Sequence, residues 1–472
     1  MRGLAFAVLL GAAALAGCAG PRPAPPASAS VTAPAGWRTD MAGPRQAIGA
    51  EWWNGFGDPV LGELEARALV GNPDLALAAS RIDEARAQFA LARAQLNPQV
   101  GGSIGASGGQ SLSPFGTAAE AVSAQPGLSI SYDLDLFGRL RLASQAAQAQ
   151  LLGSEGARDT VRLALVSSVA GGYVTLRGLD QRLAIAQATA TGRAEALRIA
   201  RRRAETGYTS SLELHQAEAE FAATQQLIAQ AQLAIARQEN ALSLLLGEKP
   251  AAIARGIPID RLTAPSLPDG MPADVLRRRP DIFQAEQTLV AADRSLDSAR
   301  AAFLPDLTLT GTAGVVLTTA LSSPVGVFAL GGSILAPIFS GGRLEAQQGL
   351  AAARRDQAAF AYRKAALAAF REVEDGLAGV NRTGQQQEAL EVQRKALAAG
   401  LNNATNRYRA GYSPYLEQLD AQRGLLSAEL ALVQARTDHL LAFVSLYQAL
   451  GGGWSKADLC RSQPGECGSP DL

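Results

Sequence analysis

The chain has 472 residues with 43 basic and 43 acidic side chains, so its formal net charge is zero and nothing points to a nucleic-acid partner. It contains only two histidines and three cysteines, so we expect neither a metal site nor another cofactor. Length alone would allow two or three domains, but long-range internal repetition indicates one duplicated architecture.

Residues 1–17 have the pattern of a secretion signal. Arg2 precedes a small apolar run that ends in Leu15-Ala16-Gly17-Cys18. This ending resembles a bacterial lipobox, which implies cleavage before Cys18 and a diacylglycerol on its thiol; an ordinary signal peptide with a chance cysteine is the alternative. Ala19 favours the outer membrane, because Asp at this position often signals inner-membrane retention. Residues 18–50, rich in Pro and Ala near their start, would form a lipidated tether without a core.

The two remaining cysteines lie in a polar C-terminal tail, predicted over residues 453–472. Cys460 and Cys467 could close a small disulfide loop in an oxidising periplasm. Two free thiols in a disordered tail are an equal alternative, and the sequence leaves the choice open.

One pattern occurs twice, in residues 51–250 and 273–452, with a linker over 251–272. Asn72-Pro73-Asp74-Leu75 opens a helix in the first copy, and Arg279-Pro280-Asp281-Ile282 opens its equivalent 207 residues later. A proline just inside the start suits a helix, because the first helical amide needs no partner. The adjacent tryptophans that precede the first copy, Trp52 and Trp53, are expected to be packing anchors.

Each opening helix is followed by sequence with period two. In the second copy, largely apolar residues at every second position from Leu307 to Leu317 alternate with four threonines: Thr308, Thr310, Thr312 and Thr318. Such alternation predicts strands with one apolar and one polar face. We expect one hairpin per copy, with strands at about 99–110 and 124–137 in copy one, and 306–319 and 325–339 in copy two.

Very long helices follow the hairpins. The sequence predicts helices over about 139–206 and 211–246 in copy one, and over 343–410 and 414–450 in copy two. The first long helix of each copy, with roughly 67 residues, would span about 100 Å at about 1.5 Å per residue. Apolar residues seven apart, such as the series that begins at Val169, predict a left-handed coiled coil, with an ordinary helical bundle as the alternative.

A tight helical hairpin joins the two long helices of each copy. The first turns at Gly207-Tyr208 and the second, 204 residues later, at Gly411-Tyr412. Glycine readily takes the left-handed conformation that ends a helix. In the second hairpin we expect Ser413 as the N-cap and Pro414 at the first position of the return helix.

Four strands cannot close a barrel, and an open sheet edge in lipid would leave backbone groups unsatisfied. The pattern therefore predicts an oligomer. Two copies would supply eight strands and three would supply twelve, and composition does not decide between them.

The order of these elements resembles the TolC-like outer-membrane channels of tripartite efflux pumps, and most closely the lipidated OprM/NodT branch. Three local motifs carry the match: Arg278-Arg279-Pro280-Asp281-Ile282, Tyr408-Arg409-Ala410-Gly411 and Leu419-Asp420-Ala421-Gln422-Arg423. The resemblance extends from about Trp52 to Trp454.

The resemblance implies a mainly α fold with a membrane β-barrel part, built from a duplicated helix–β-hairpin–long helix–helix repeat. Three chains would form a 12-stranded barrel in outer-membrane lipid, continuous with a long periplasmic α-helical barrel. The partners implied are a periplasmic adaptor protein and an inner-membrane resistance-nodulation-division pump. Substrates would pass without chemical change, so we expect no enzyme activity. A lipid-anchored periplasmic coiled-coil scaffold is the alternative from another functional class.

The family's gate lies at the helical tips. By motif match, Leu416, Asp420 and Arg423 take the constricting positions, with Glu417 beside them. The spacing i, i+4, i+7 also places the first three on one helix face. In a trimer, Asp420 would form a ring of three carboxylates that favours cations, which Arg423 would neutralise in part. Copy one has Gln216 at the position of Asp420.

The resemblance also implies a latch and a docking surface. Tyr408 and Glu213 match the family's latch tyrosine and acid, whereas Ser413 stands where the latch arginine would be. We therefore expect closure to depend more on Leu416 and on the Asp420/Arg423 layer. The adaptor would meet the tips at five residues: Gly207, Tyr208, Ser211, Gly411 and Tyr412.

Overall fold

The computed structural model describes residues 21–39, 45–46, 48–112, 118–268, 271–319 and 322–455. The predicted lipid anchor Cys18 lies outside these residues, and so do Cys460 and Cys467. Both the lipidation and the disulfide therefore stay predictions.

The described chain is largely helical, and the two copies have closely matched helices. The helices are α1 Pro59–Gly71, α2 Pro73–Ala94, α3 Arg139–Glu205, α4 Ser211–Leu245, α5 Pro272–Arg278, α6 Pro280–Ala301, α7 Arg343–Arg409 and α8 Tyr415–Ala449. Helices α2 and α6 have 22 residues each, α3 and α7 have 67, and α4 and α8 have 35. The equal lengths of these three pairs are expected of a duplicated unit, whereas α1 has 13 residues and α5 has 7. No helix among the described residues has the length and apolarity needed to cross a membrane.

The chain divides into two compact units. The strand unit contains residues 80–156 and 283–364 together with the N-terminal residues to Val31. The helical unit contains residues 32–79, 157–282 and 365–472.

The strand unit contains one antiparallel sheet with strands from both copies. Its strands are β1 Gln99–Leu112, β2 Ala118–Asp133, β3 Asp306–Thr318 and β4 Val325–Leu335, paired in the order β1-β2-β3-β4. The predicted hairpins are β1–β2 and β3–β4, and the β2–β3 pairing joins them. Gly127 faces Gly314 in that central pairing, where a Cβ on Gly314 would lie 2.6 Å from the carbonyl oxygen of Pro126. Glycine therefore permits the close approach of the two copies.

Two strands end earlier than predicted. Strand β2 ends at Asp133 because Asp135 turns the backbone, with a φ of 43°, and caps α3. Its carboxylate accepts hydrogen bonds from the Leu140 and Arg141 amides, both at 2.9 Å. Strand β4 ends at Leu335, because Pro337 has no amide with which to continue the ladder.

Residues 21–39 of the predicted tether lie against helices. In the strand unit, Arg22 Nε donates to Asp297 Oδ1 at 2.8 Å. The guanidinium of Arg355, which is only 1% exposed, donates to the carbonyl oxygen of Pro23 at 2.9 Å. This part of the tether is therefore held in place, because arginines of the fold satisfy backbone groups that the Pro-rich segment cannot pair internally.

The heptad face predicted from the sequence is buried in the helical unit. Val169 and Leu176 of α3 are fully buried, and Leu419 and Leu440 of α8 are 1% and 3% exposed. Trp52 is buried as expected, and its ring stacks on Tyr447 with centroids 5.1 Å apart. The long helices thus pack through the apolar stripe that the sevenfold spacing creates.

In each copy, a residue at the start of one helix bonds to the end of another helix, and the two contacts occur at equivalent positions. The Asn72 side-chain amide donates to the carbonyl oxygen of Leu245, near the end of α4, at 2.9 Å. Its counterpart Arg279 donates to the carbonyl oxygen of Ala449, at the end of α8, also at 2.9 Å, and pairs with Asp281 at 2.7 Å. Different side chains therefore satisfy the same orphan carbonyls of a helix end.

Candidate functional site at the helical tips

The two hairpin tips, both in the helical unit, have the same backbone turn. Gly207 and Gly411 have φ values of 68° and 79°. In each tip the glycine amide donates a hydrogen bond to the carbonyl oxygen three residues earlier. The backbone amide of the following tyrosine, Tyr208 or Tyr412, donates to the carbonyl oxygen five residues earlier. This pair of bonds is the Schellman motif, so the prediction that glycine ends both helices is confirmed.

The predicted start of the last helix was wrong by one residue. Helix α8 begins at Tyr415, and Pro414, with extended backbone at ψ 160°, is its N-cap. Ser413 makes no capping bond; its hydroxyl oxygen is buried without a hydrogen-bond partner among the described residues. Extended backbone at Pro414 thus moves the cap from Ser413 to the proline.

A small apolar cluster packs the two hairpins together near their tips. Tyr415 and Leu419 of α8 are buried against Ala200 and Ala217 of the first hairpin. Tyr408 lies partly buried beside them, with its ring centroid 5.6 Å from that of Tyr415. Ala200 and Ala217 have small side chains, which permits the close approach of the two hairpins.

Tyr408 is hydrogen-bonded to an arginine rather than to the predicted acid. Arg203 Nη1, at the end of α3, donates to Tyr408 Oη at 2.7 Å, and its guanidinium carbon lies 5.2 Å from the Tyr408 ring centroid. Glu213 Oε2 is buried and has no hydrogen-bond partner in the described chain. The predicted Tyr408–Glu213 contact is not formed as a hydrogen bond here. Burial, and then the nearby Glu213 carboxylate, raise the pKa of Tyr408.

The four predicted gate residues are all exposed within the single chain. Leu416 is 50% exposed, and the side chains of Asp420 and Arg423 are 66% and 53% exposed. Glu417 pairs with Arg407 at 3.4 Å. The apolar contacts between the hairpins come from Tyr415 and Leu419, so Leu416 is left free for contacts outside the chain.

Arg423 is held mainly by an acid, Glu220, that was not among the predicted site residues. Its Nε donates to Glu220 Oε1 of α4 at 2.7 Å, whereas its closest approach to Asp420 is 3.9 Å. Glu220 also pairs with Arg193 at 2.7 Å, and Arg193 in turn donates to Thr224 Oγ1 at 2.6 Å. Burial lowers the pKa of Arg193. The expected neutralisation of Asp420 by Arg423 is thus weak, because Glu220 already occupies the guanidinium.

A signal for this ionic cluster was present in the sequence. Glu220 lies three residues after Ala217 and four before Thr224, which places it on the buried face of α4. Arg193 has the same position on α3, between Ala190 and Leu197. Two opposite charges at core heptad positions predict a buried pair, since an unpaired charge there would be costly. Throughout the described ranges, no group of three or more His, Cys, Asp or Glu side chains is arranged to hold a metal ion.

The predicted adaptor-contact residues form an exposed surface at the tips. Tyr208 and Tyr412 are 79% and 81% exposed, more than the intermediate burial that is usual for tyrosine. Ser211, at the start of α4, is also exposed.

Comparison with known proteins decides the family. A family model described as outer membrane efflux protein matches residues 64–248 and 271–452, one range in each copy. The chain belongs to the outer membrane efflux protein family.

Two relatives and one solved structure show how far the similarity extends. The toluene efflux pump outer membrane protein TtgC of Pseudomonas putida is 36% identical over 421 residues, which are 85% of either chain. The pyoverdine export outer membrane protein OpmQ of Pseudomonas aeruginosa is 35% identical over 471 residues, covering 94% of this chain and 96% of the relative. A solved structure of CusC has a TM-score of 0.80 at 33% identity and covers 92% of this chain and 99% of its own.

The family match and these relatives confirm the predicted class. The protein is an outer-membrane channel of an efflux system, with the duplicated helical and β-hairpin architecture of the TolC-like channels. The alternative of a periplasmic coiled-coil scaffold has no support from these relatives, which are named as efflux and export proteins.

Proposed function

We propose that three copies of the chain form the exit duct of a tripartite efflux pump. The observation that carries this proposal is the open four-stranded sheet, in which β1 and β4 each pair with only one described strand. Three such sheets joined edge to edge would give twelve strands and leave no free edge in lipid. The sheet also exposes apolar side chains, such as Ile104 at 79% and Phe328 at 89%, which suits contact with hydrocarbon.

Reconstitution tests this assembly. The purified protein should run as a heat-modifiable oligomer, have the mass of three chains and form ion-conducting pores in a planar bilayer. A monomer without channel activity would contradict the proposal. The pore carries substrates without chemical change, and TtgC and OpmQ, named for toluene and pyoverdine, indicate that relatives serve different cargoes.

The duct is anchored by lipid and works with two further proteins. The diacylglycerol is carried by Cys18, and a periplasmic adaptor contacts Tyr208, Ser211 and Tyr412 at the tips, below which lies an inner-membrane resistance-nodulation-division pump. The exposed tip tyrosines support the docking assignment. Cysteine substitution of Ser211 should permit cross-linking to a co-expressed adaptor, whereas the same substitution at exposed Ala219, two helical turns from the tip, should not.

The gate is formed by the second hairpin. In the trimer, Leu416 and Asp420 of each chain face the axis and form an apolar layer and a carboxylate layer. Support comes from their exposure within one chain and from the engagement of Arg423 by Glu220, which leaves the Asp420 ring anionic. A narrow ring of carboxylates favours cations over anions.

A further inference from the structure

Arg203 has an equivalent in the second hairpin, but the two arginines have different partners. Arg407 lies 204 residues after Arg203, and Glu417 lies 204 residues after Glu213. In the second tip the equivalent residues form an ion pair, Arg407 Nε to Glu417 Oε1, at 3.4 Å. In the first tip Arg203 bonds to Tyr408 instead.

The backbone of the first tip permits the ion pair that it lacks. Both tips have the same glycine-centred turn and the same ten-residue spacing between arginine and acid. The reach that brings Arg407 to Glu417 is therefore available to Arg203 and Glu213. Glu213 Oε2 is buried with no hydrogen-bond partner among the described residues, a costly state for a carboxylate oxygen. Glu213 of the first tip thus lacks the arginine partner that Glu417 has in the second tip.

The alternative partner of Arg203 belongs to the other hairpin. Tyr408 lies in the last turn of α7, so the Arg203–Tyr408 hydrogen bond joins the first hairpin to the second. An Arg203–Glu213 pair would lie wholly within the first hairpin. Both bonds would use the Arg203 guanidinium, but only the Arg203–Tyr408 bond joins the two hairpins.

We propose that Arg203 is a two-position latch, which joins the hairpins through Tyr408 in the closed gate and turns to Glu213 when the gate opens. The proposal rests on the gating role assigned to the tips in the proposed function. Arg203 supplies from the first hairpin the cation that is absent at Ser413. Glu213 then stabilises the open state, which is the opposite of its role in a Tyr408–Glu213 latch.

The proposal is tested by whether Glu213→Gln raises or lowers the ratio of open to closed current levels, measured on the full-length protein in planar bilayers. Tyr408→Phe should raise the ratio of open to closed current levels by about tenfold, the factor expected for loss of one charge-assisted hydrogen bond. Glu213→Gln should lower that ratio, because the guanidinium loses its open-state partner. An increase with Glu213→Gln would overturn the proposal in favour of a direct Tyr408–Glu213 latch.

A nearby acid on the same helix, outside the gate and the latch, is the control. Glu218 pairs with Arg201 at 3.8 Å, and Glu218→Gln should leave the open-to-closed ratio within about twofold of the original, as expected for an exposed ion pair. Equal effects of Glu218→Gln and Glu213→Gln would also overturn the latch. If the original protein conducts but neither Tyr408→Phe nor Glu213→Gln changes its gating, the latch fails while the duct stands. Absence of any conductance counts against the duct itself.

Discussion

The two hairpin tips have one backbone and two arrangements of charge. Gly207 and Gly411 form the same turn, yet Arg407 pairs within its own hairpin and Arg203 reaches across to the other. Asp420 stands in the second tip where the first has Gln216. Duplication has thus preserved the residues that shape the backbone and the arginine and acid of each tip, whereas Tyr408 and Asp420 of the second tip are replaced by Ala204 and Gln216 in the first. The functional differences are therefore expected at the positions where the two copies differ.

The largest expected effect comes from Arg279 and Asn72, which lie at equivalent helix starts in the two copies. Arg279→Ala should cost about 3 kcal/mol of folding free energy, because it removes a buried guanidinium that binds two partly exposed carboxylates and a helix-end carbonyl. Asn72→Ala, at the equivalent position in copy one, should cost about 1 kcal/mol, the usual value for a lost N-cap, because Asn72 Oδ1 accepts a hydrogen bond from the Asp74 amide at 2.9 Å. Chemical denaturation followed by circular dichroism measures both. Equal costs would show that the two copies do not differ in this contact.

A buried acid found only in copy one gives a pH test. Glu65 of α1 is fully buried, and burial raises its pKa to about 9, whereas the position 207 residues later is Pro272. The folded state therefore holds a proton that the unfolded chain releases above its ordinary pKa of 4.5. Stability should fall as pH rises from 4.5 towards 9, by about 3 kcal/mol at pH 7.

Glu65→Gln cannot ionise in the unfolded chain, so it should flatten this dependence and stabilise the protein at pH 7 to 8. The exposed neighbour Glu63, changed to Gln, is the control and should leave the pH profile unaltered. Thermal unfolding at several pH values measures both. A Glu65→Gln profile as steep as the original would contradict the burial of a neutral acid.

The smallest expected effect concerns the acid that holds Arg423. Glu220→Gln should release Arg423 towards Asp420, whose Oδ1 lies 3.9 Å from Arg423 Nη1 in the original protein. A closer arginine would reduce the cation preference of the pore by up to about fivefold, the range for an exposed ion pair. Reversal potentials in a KCl gradient report this change. Glu218→Gln, on the same helix and outside the buried cluster, is the comparison variant. A cation preference unaltered by Glu220→Gln would show that Glu220 does not set the charge at Asp420.

Local sequence rules predicted the backbone of both copies well. The heptads predicted the long helices, prolines and glycines predicted where helices end, and period-two alternation predicted the hairpins. These patterns succeed because each of these elements depends on residues that are near in sequence. Side-chain partners at the tips were predicted less well. Whether Arg203 bonds to Glu213 or Tyr408 depends on side-chain rotation at nearly constant backbone, which spacing does not determine. The Glu220–Arg193 pair was accessible from heptad position, but its capture of Arg423 required the packing of the second hairpin.

Ion selectivity of the reconstituted channel tests the central claim most directly, namely that the second hairpin carries the constriction. Single-channel currents in a KCl gradient should show a cation preference in the original protein. Asp420→Ala should abolish most of this preference and raise conductance, whereas Gln216→Ala, its counterpart in the first hairpin, should change neither. Unchanged selectivity and conductance in Asp420→Ala, or equal changes in both variants, would contradict the assignment of the gate to the second tip.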